Sequence, residues 1–310
     1  MNAILRFALR VAVSVAALAY VISHARLHDI WQVLANTAVI YVLIAMVIDQ
    51  LTNFISSKAW HSLASSLGLK ATFTRLLHLF YVGKFFNVFL PTTIGGDVVR
   101  ALHLTKDSKK GAKAVASIMM SRLVGLAAMV TIFVIGIMLR PDIVESRVLL
   151  AVAVVLLAFT LFTLILFSKV IIHLFEPLLR RLTYLKLNHR ILKLHEAIRA
   201  YRHHHGALAK AYVFMGLFHL LSIVCYYLLA VALGLEISFT YFLIIVPLVN
   251  ILTALPISLN GVGHREGGFF YFLTQGGVPP SAAIALPLLS YIFTLDSAII
   301  GAIAYTAKRK

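Results

Sequence analysis

Two stretches of this sequence combine a helix-breaking proline, glycines, an acid and an arginine. Residues 90–100 read LPTTIGGDVVR, and residues 255–266 read LPISLNGVGHRE, beginning 165 positions later. Proline and glycine end a helix and let the backbone turn, so each stretch predicts a tip between two half-helices. The N-terminus of a helix carries partial positive charge and unpaired amide donors. Each tip therefore favours binding of an anion such as a phosphate or a carboxylate.

The groups predicted to bind an anion lie in these two tips and on the helix that follows the first. They are Arg100, Arg122, Arg265, Thr92, Thr93, Gly95, Gly96, Ser258, Gly261 and Gly263. The second half-helices are expected to begin near Asp97 and near Arg265, with their amides pointing into the protein. Arg265 is the leading headgroup ligand of the second tip, because a guanidinium group binds phosphate in a bidentate manner.

The acids beside these arginines leave three interpretations open. Asp97 and Glu266 either hold Arg100 and Arg265 until a substrate displaces them, or titrate as protons move. Alternatively Asp97 is a helix N-cap, and the arginines only neutralise the two acids.

Two further acids are expected inside membrane spans. Asp49 and Asp296 are candidates for a gating or proton-coupling pair, and alternatively they balance Lys84 and Arg122. Intramembrane ionisable residues are costly and are typical of functional sites. The asparagines predicted to line a polar cavity or to join helices are Asn53, Asn87, Asn250 and Asn260, with the joining role favoured for Asn53.

The composition places these motifs in a membrane. Of 310 residues 61% are hydrophobic and 13% are charged, whereas about a quarter of the residues in soluble domains are charged. The net charge of +17 comes from basic residues between apolar segments, which indicates the positive-inside rule rather than a nucleic-acid partner. Phosphate-loop, zinc-ligand and dinucleotide-binding motifs are missing from the sequence, so no cofactor or metal is expected.

Apolar runs and basic residues together predict the topology. The spans are expected at 4–22, 33–55, 114–139, 148–167, 208–233 and 282–307. The basic segments 56–75, 100–113, 169–206 and 308–310 should be cytoplasmic, together with both termini, and the connections 23–32, 140–147 and 234–238 should be outside. The first span is expected to be retained rather than removed as a signal peptide.

This topology requires two re-entrant hairpins. The apolar stretch 76–99 begins and ends inside, and the stretch 239–277 begins and ends outside. The fold predicted is an all-α integral membrane protein with about six full transmembrane helices and two oppositely oriented re-entrant hairpins in an inverted repeat. The repeats are 33–139 and 207–307 within one polytopic domain, a recurring transporter architecture. The basic segment 170–206 between them is predicted either to lie on the anionic inner leaflet or to be a cytoplasmic linker.

The motifs resemble those of the lysylphosphatidylglycerol synthase transmembrane, or flippase-like, family. The matching residues are P-x-x-x-G-G-D-x-x-R at 91–100, S-R-L-x-G-L at 121–126 and G-x-G-x-R-E at 261–266. The family position before Arg122 is often acidic, and here it is Ser121. The best-known members join this membrane part to a soluble aminoacyl-transferase domain, and no soluble region of that size occurs in these residues. The resemblance therefore implies a lipid-translocating membrane module without the synthase activity.

The leading functional hypothesis is a lipid transporter, or flippase, of the inner cell membrane. Its substrate and partner would be an anionic phospholipid or a polyprenyl-phosphate lipid, and a homo-oligomer is left open. An intramembrane glycosyl- or lipid-modifying transferase is one alternative, although no catalytic motif was found. An ion-coupled transporter of a small anion is the other, because the hairpins alone would serve it equally well.

Cysteine accessibility tests this topology. In a background without Cys225, one cysteine in each of the segments 56–75 and 100–113 should react with an impermeant thiol reagent from the same side. The tip variants Thr92→Cys and Ser258→Cys should react only through narrowed cavities. Labelling of the two basic segments from opposite sides, or free labelling of the two tips from opposite bulk phases, would contradict the hairpins.

Overall fold

The computed structural model describes residues 26–89, 95–143, 146–168, 187–254 and 261–307. The elements within these ranges are helices: α1 (Leu27–Ala35), α2 (Val39–Ser66), α3 (Phe73–Phe89), α4 (Gly95–Ser108), α5 (Gly111–Leu139), α6 (Ser146–Phe167), α7 (Leu187–Ala200), a 3-10 turn (Tyr201–His203), α8 (His205–Ala232), α9 (Phe239–Ala254), α10 (His264–Gln275), α11 (Pro280–Leu289) and α12 (Tyr291–Ala307). The predicted all-α class is confirmed.

In the part of the chain that the structure describes, four helical segments are long and apolar enough to cross a membrane. They are α2, α5, α8 and the nearly continuous pair α11–α12, and they correspond to the second, third, fifth and last predicted spans. Helix α6 covers the predicted fourth span. The first predicted span, 4–22, lies outside the described residues, so the count of six stays a prediction.

The predicted bounds of the second span, 33–55, were wrong. Residues 33–35 belong to α1, and α2 runs on to Ser66. The helix continues through this polar region because its side chains face the protein. Ser57 and Trp60 are fully buried, and the ammonium group of Lys58 lies 3.9 Å from the centroid of a phenyl ring on α3. Lys58 is thus part of a packed helix and not of a loop.

Helices α3 and α4 form the first hairpin. At its open end, Arg75 Nε donates to Asp107 Oδ2 at 2.7 Å, which joins the start of α3 to the end of α4. Near the tip the backbones nearly touch, since a Cβ added at Gly96 would lie 2.1 Å from the Gly83 carbonyl oxygen. The Gly96 amide donates to Asn87 Oδ1 at 2.6 Å. The tip itself, 90–94, lies outside the described residues.

Helices α9 and α10 form the second hairpin with the same antiparallel arrangement. The Tyr241 hydroxyl, at the start of α9, donates to the Phe272 carbonyl near the end of α10. Gly261 and Gly263 precede α10 with φ angles of 78° and 86°. Glycine adopts this left-handed conformation without the steric penalty of other residues. The tip 255–260 is not among the described residues.

Each hairpin packs on the last helix of the other predicted repeat. Helix α3 contacts α12, α9 contacts α5, and α2 and α8 pack together most extensively. A Cβ added at Gly301 in α12 would lie 2.2 Å from the Tyr81 carbonyl oxygen in α3. At Gly136 in α5 it would lie 3.1 Å from the Leu243 carbonyl oxygen in α9. These two glycines are 165 positions apart, as the two Leu-Pro tips are.

Helix α7 is the described part of the basic segment between the repeats. Its residues Ala197 and Ile198 are buried against α5 and α8, and the Tyr201 hydroxyl after it donates to the Leu63 carbonyl at 2.9 Å. This end of the segment therefore packs on the protein. Residues 170–186 lie outside the described ranges.

Candidate functional site

One carboxylate joins two arginines at the start of α4. Asp97 is the third residue of this helix and so lies inside the helix rather than at its N-cap. Its Oδ1 accepts a hydrogen bond from Arg100 at 3.0 Å, and its Oδ2 accepts one from Nε of Arg122 on α5. The Asp97 and Arg100 side chains are 9% and 12% exposed, whereas that of Arg122 is 53% exposed. A single negative charge thus faces two positive ones.

Aromatic rings hold the Arg100 guanidinium group in place. Its Cζ lies 4.0 Å from the ring centroid of Trp60 and 4.9 Å from that of Phe80. Trp60 is itself fixed, because it is fully buried and its Nε1 donates to Ser117 Oγ at 3.1 Å. Stacking of this kind stabilises a desolvated cation. Arg100 Nε is buried and has no hydrogen-bond partner among the described residues.

A cavity of about 480 Å³ opens beside this cluster. Its polar lining consists of Ser56, Lys84, Asn87, Asp97, Arg100, Ser121, Arg122, His219 and Asn250. Asn87 and Asn250, two of the asparagines predicted to line a cavity or to join helices, come from different hairpins and both line it. Asn260 lies outside the described residues. With Lys84 included, three cations and one acid face the same space, which makes the cavity suitable for an anion. We call it the charged cavity.

An apolar groove of about 550 Å³ adjoins the charged cavity. It lies between α4 and α5, and it is lined by Val98, Ala101, Leu102, Thr105, Val115, Ile118, Met119 and Leu123 together with Asp97 and Arg122. Asp97 and Arg122 line both spaces, so they form the boundary between the charged cavity and the groove. Val98 and Leu102 are 52% and 57% exposed.

The second arginine motif has a different environment. Arg265 Nε and Nη2 both donate to Glu266 Oε1 at 3.2 Å, and the guanidinium carbon lies 3.9 Å from the ring centroid of Tyr291. Glu266 is completely buried; it also accepts from the Tyr291 hydroxyl at 2.9 Å and from the Gly263 amide at 2.6 Å. The acid therefore caps α10 and pairs with its neighbour. Arg265 does not line the charged cavity.

Asp49 and Asp296 belong to one hydrogen-bonded network that joins α2, α3 and α12. The Asn53 amide nitrogen donates to Asp49 Oδ2 and to Ser297 Oγ, both at 3.1 Å. Gln50 donates to Asp296 Oδ2 at 2.8 Å and accepts from a tyrosine hydroxyl of α3, Tyr81, at 2.6 Å. The bond between Asn53 and Ser297 is the helix-joining contact predicted for this asparagine.

The predicted site residues fall into separate groups. Arg100, Arg122 and Asp97 meet at the charged cavity, and the buried glycines Gly95 and Gly96 lead into their helix. Arg265, Glu266, Gly261 and Gly263 form a second group at the start of α10, and the network of Asp49 and Asp296 is a third. Thr92, Thr93 and Ser258 lie outside the described residues.

Several residues of the site were not predicted from the sequence. Trp60 and Phe80 stack on Arg100, and Tyr291 stacks on Arg265. Such contacts are formed between distant elements and leave no local pattern. His219 is different: it is a titratable residue in an apolar helix, which is a signal for a cavity-facing position. It bonds the Gly125 carbonyl at 2.9 Å within the charged cavity.

Comparison with known proteins identifies the family of this chain. The family model of the lysylphosphatidylglycerol synthase TM region matches residues 7–301. A UPF0104 membrane protein of Methanocaldococcus jannaschii is 31% identical over 121 residues, which are 37% of this chain. The match spans 36% of that relative's length. Since the family model covers nearly the whole chain, and since several apolar helices indicate a multi-pass membrane protein, the chain belongs to the lysylphosphatidylglycerol synthase transmembrane-region family, whose members are concerned with lipids.

Proposed function

We propose that the protein moves a lipid with an anionic, phosphate-bearing headgroup from one leaflet of a membrane to the other. The observation that carries this proposal is the shared boundary of the charged cavity and the apolar groove at Asp97 and Arg122. A phosphate beside Arg100 and Arg122 would exchange water for charge-assisted hydrogen bonds. An acyl or polyprenyl chain attached to it would lie in the groove between α4 and α5.

The groove favours a lipid over a small soluble anion. A free anion needs only the charged cavity, and an apolar groove contributes nothing to its binding. A lipid chain in the groove would gain binding free energy in proportion to the apolar surface that the chain and the groove bury against each other. The exposed Val98 and Leu102 lie where such a chain would meet the protein.

The helix packing supports transport by movement of one repeat against the other. Each hairpin rests on the last helix of the opposite repeat, and the two first helices α2 and α8 form the largest contact between the repeats. Reciprocal contacts of this kind are expected of an inverted repeat, in which rocking exposes a central site to either side. The proposal retains the hairpins as re-entrant, an inner-membrane location and cytoplasmic termini.

The two arginine motifs have different roles in this proposal. Arg100 faces the charged cavity, has an unpartnered Nε and shares its acid with Arg122. Arg265 is paired with its own acid and stacked on Tyr291. These contacts favour Arg100 and Arg122 as the headgroup ligands. For Arg265 they favour the counter-ion role that the sequence left open, since Arg265 pairs with Glu266.

Removing the charge of Arg100 separates binding from structure. Arg100→Met should keep a thermal stability close to wild type, because Asp97 stays paired with Arg122, whereas the double variant with Asp97→Asn also removes the acid that Arg122 binds and should be less stable. Translocation of a fluorescent phosphatidylglycerol in liposomes should fall by about tenfold or more in both, since a charge-assisted hydrogen bond contributes more than 1.4 kcal/mol. Arg140→Met, in an exposed loop, is the control. Full translocation by the double variant would reduce Arg100 to a structural counter-ion.

A bulky substitution in the groove tests whether the lipid chain binds there. Leu102→Trp places a large side chain where the acyl chain should lie, and the same assay should then show a loss of about threefold to tenfold, as expected for about 1 kcal/mol of lost apolar contact. The matched control is Leu157→Trp on α6, because Leu157 is 61% exposed and lies away from the groove. Equal activity of the two variants would argue against the groove and for a carrier of small anions.

A further inference from the structure

The network around Asp49 and Asp296 contains two buried acceptors without a donor. They are Asn53 Oδ1 and Asp296 Oδ1, which have no hydrogen-bond partner among the described residues. Asn53 is completely buried, and its amide nitrogen binds Asp49, so its oxygen lies within the same network. A buried acceptor without a donor is costly, and a carboxyl group that takes up a proton becomes such a donor. A proton on one of the two carboxyl groups would therefore supply the donor that these buried acceptors lack.

Lys84 connects this network to the charged cavity. It lines the cavity, and it also interacts electrostatically with Asp49. Its position on α3 explains both contacts, because Tyr81 one turn before it reaches the network and Asn87 one turn after it reaches the cavity. A change of charge in the cavity would therefore alter the electrostatic interaction of Lys84 with Asp49.

Among the described residues, the network and the cavity hold equal numbers of acids and bases. The acids are Asp49, Asp97 and Asp296, and the bases are Lys84, Arg100 and Arg122. A phosphate monoanion entering the cavity adds one negative charge. Uncompensated charge is expensive within a membrane, and one proton on the acid pair restores neutrality.

We propose that Asp49 and Asp296 together take up one proton when an anionic headgroup binds beside Arg100 and Arg122. This inference rests on the proposed function and adds to it the ion that accompanies the lipid. Bound phosphate attracts Lys84, which leaves the two acids with less compensating charge and with the unpartnered acceptors near them. Coupling between two sites is reciprocal, so the proton tightens headgroup binding by the same factor.

The other titratable groups near the pair are few in the described part of the chain. Lys84 and Tyr81 face it from α3, and the buried thiol of Cys225 faces it from α8. His219 lies on α8 in the charged cavity and is the group that could take the proton instead. A proton suits the site better than a divalent metal ion, since the described residues hold no group of three His, Cys, Asp or Glu side chains.

Calorimetry on the purified full chain in detergent tests this coupling. Short-chain phosphatidylglycerol, whose phosphodiester carries one charge and does not titrate near neutral pH, is titrated in two buffers of different ionisation enthalpy. Phosphatidic acid and inorganic phosphate, which titrate near neutral pH themselves, are used to compare binding alone. The wild type should take up about one proton per bound lipid, and its Kd should rise by up to about tenfold per pH unit where the pair titrates. Inorganic phosphate at the same concentration should show no comparable binding.

Variants assign the proton to the acid pair. Asp49→Asn and Asp296→Asn should bind lipid without proton uptake and with a flat pH profile, while His219→Gln should keep the uptake. Asp142→Asn is the matched control, because Asp142 is exposed and its hydrogen bonds with Arg140 hold the pKa of its carboxyl below the usual value. Replacing it should leave the proton uptake unchanged.

The outcomes separate the two proposals. Lipid binding by the wild type without proton uptake would overturn the coupling and leave the proposed function standing, even if both acid variants failed to fold. Proton uptake that is lost in His219→Gln and kept in the acid variants would overturn the assignment. Failure of both lipids to bind the wild type would overturn the proposed function itself.

Discussion

The ion pairs of Asp97 with Arg100 and Arg122 are the interaction on which the rest of the site depends. One carboxylate lies between two guanidinium groups and binds both. The rings of Trp60 and Phe80 stack on Arg100 and stabilise its desolvated cation. The same carboxylate stands between the charged cavity and the apolar groove. A phosphate that displaces Asp97 from one arginine would therefore place its lipid chain at the entrance of the groove.

The two hairpins show how one local motif can acquire two chemical roles. Arg100 and Arg265 are 165 positions apart and follow equivalent Leu-Pro sequence motifs. In the first hairpin the acid reaches across to another helix and binds two arginines. In the second hairpin Glu266 satisfies the Gly263 amide, the Tyr291 hydroxyl and Arg265, and is itself fully buried. In the proposed function, a difference in neighbours from distant helices makes Arg100 a candidate ligand and Arg265 a candidate counter-ion.

The sequence predicts features that depend on neighbouring residues better than features that depend on contacts between residues far apart in the chain. Local signals were sufficient for the helical class and for the half-helices that begin at Gly95 and at His264, because proline, glycine and hydropathy act within a few residues. The second span was misplaced because the polar residues near Trp60 face other helices and not water. The groove, the stacking rings and the separation of Arg265 from the charged cavity depend on contacts between remote segments. No pattern within one segment specifies them.

The position of a bound lipid tests the central claim most directly. The measurement is a cryo-electron microscopy map of the protein in nanodiscs that contain phosphatidylglycerol, at a resolution that shows phosphate density. The account predicts a phosphate between Arg100 and Arg122 and chain density between α4 and α5. A phosphate seated beside Arg265, or a lipid held at the charged cavity with its chains outside that groove, would contradict it.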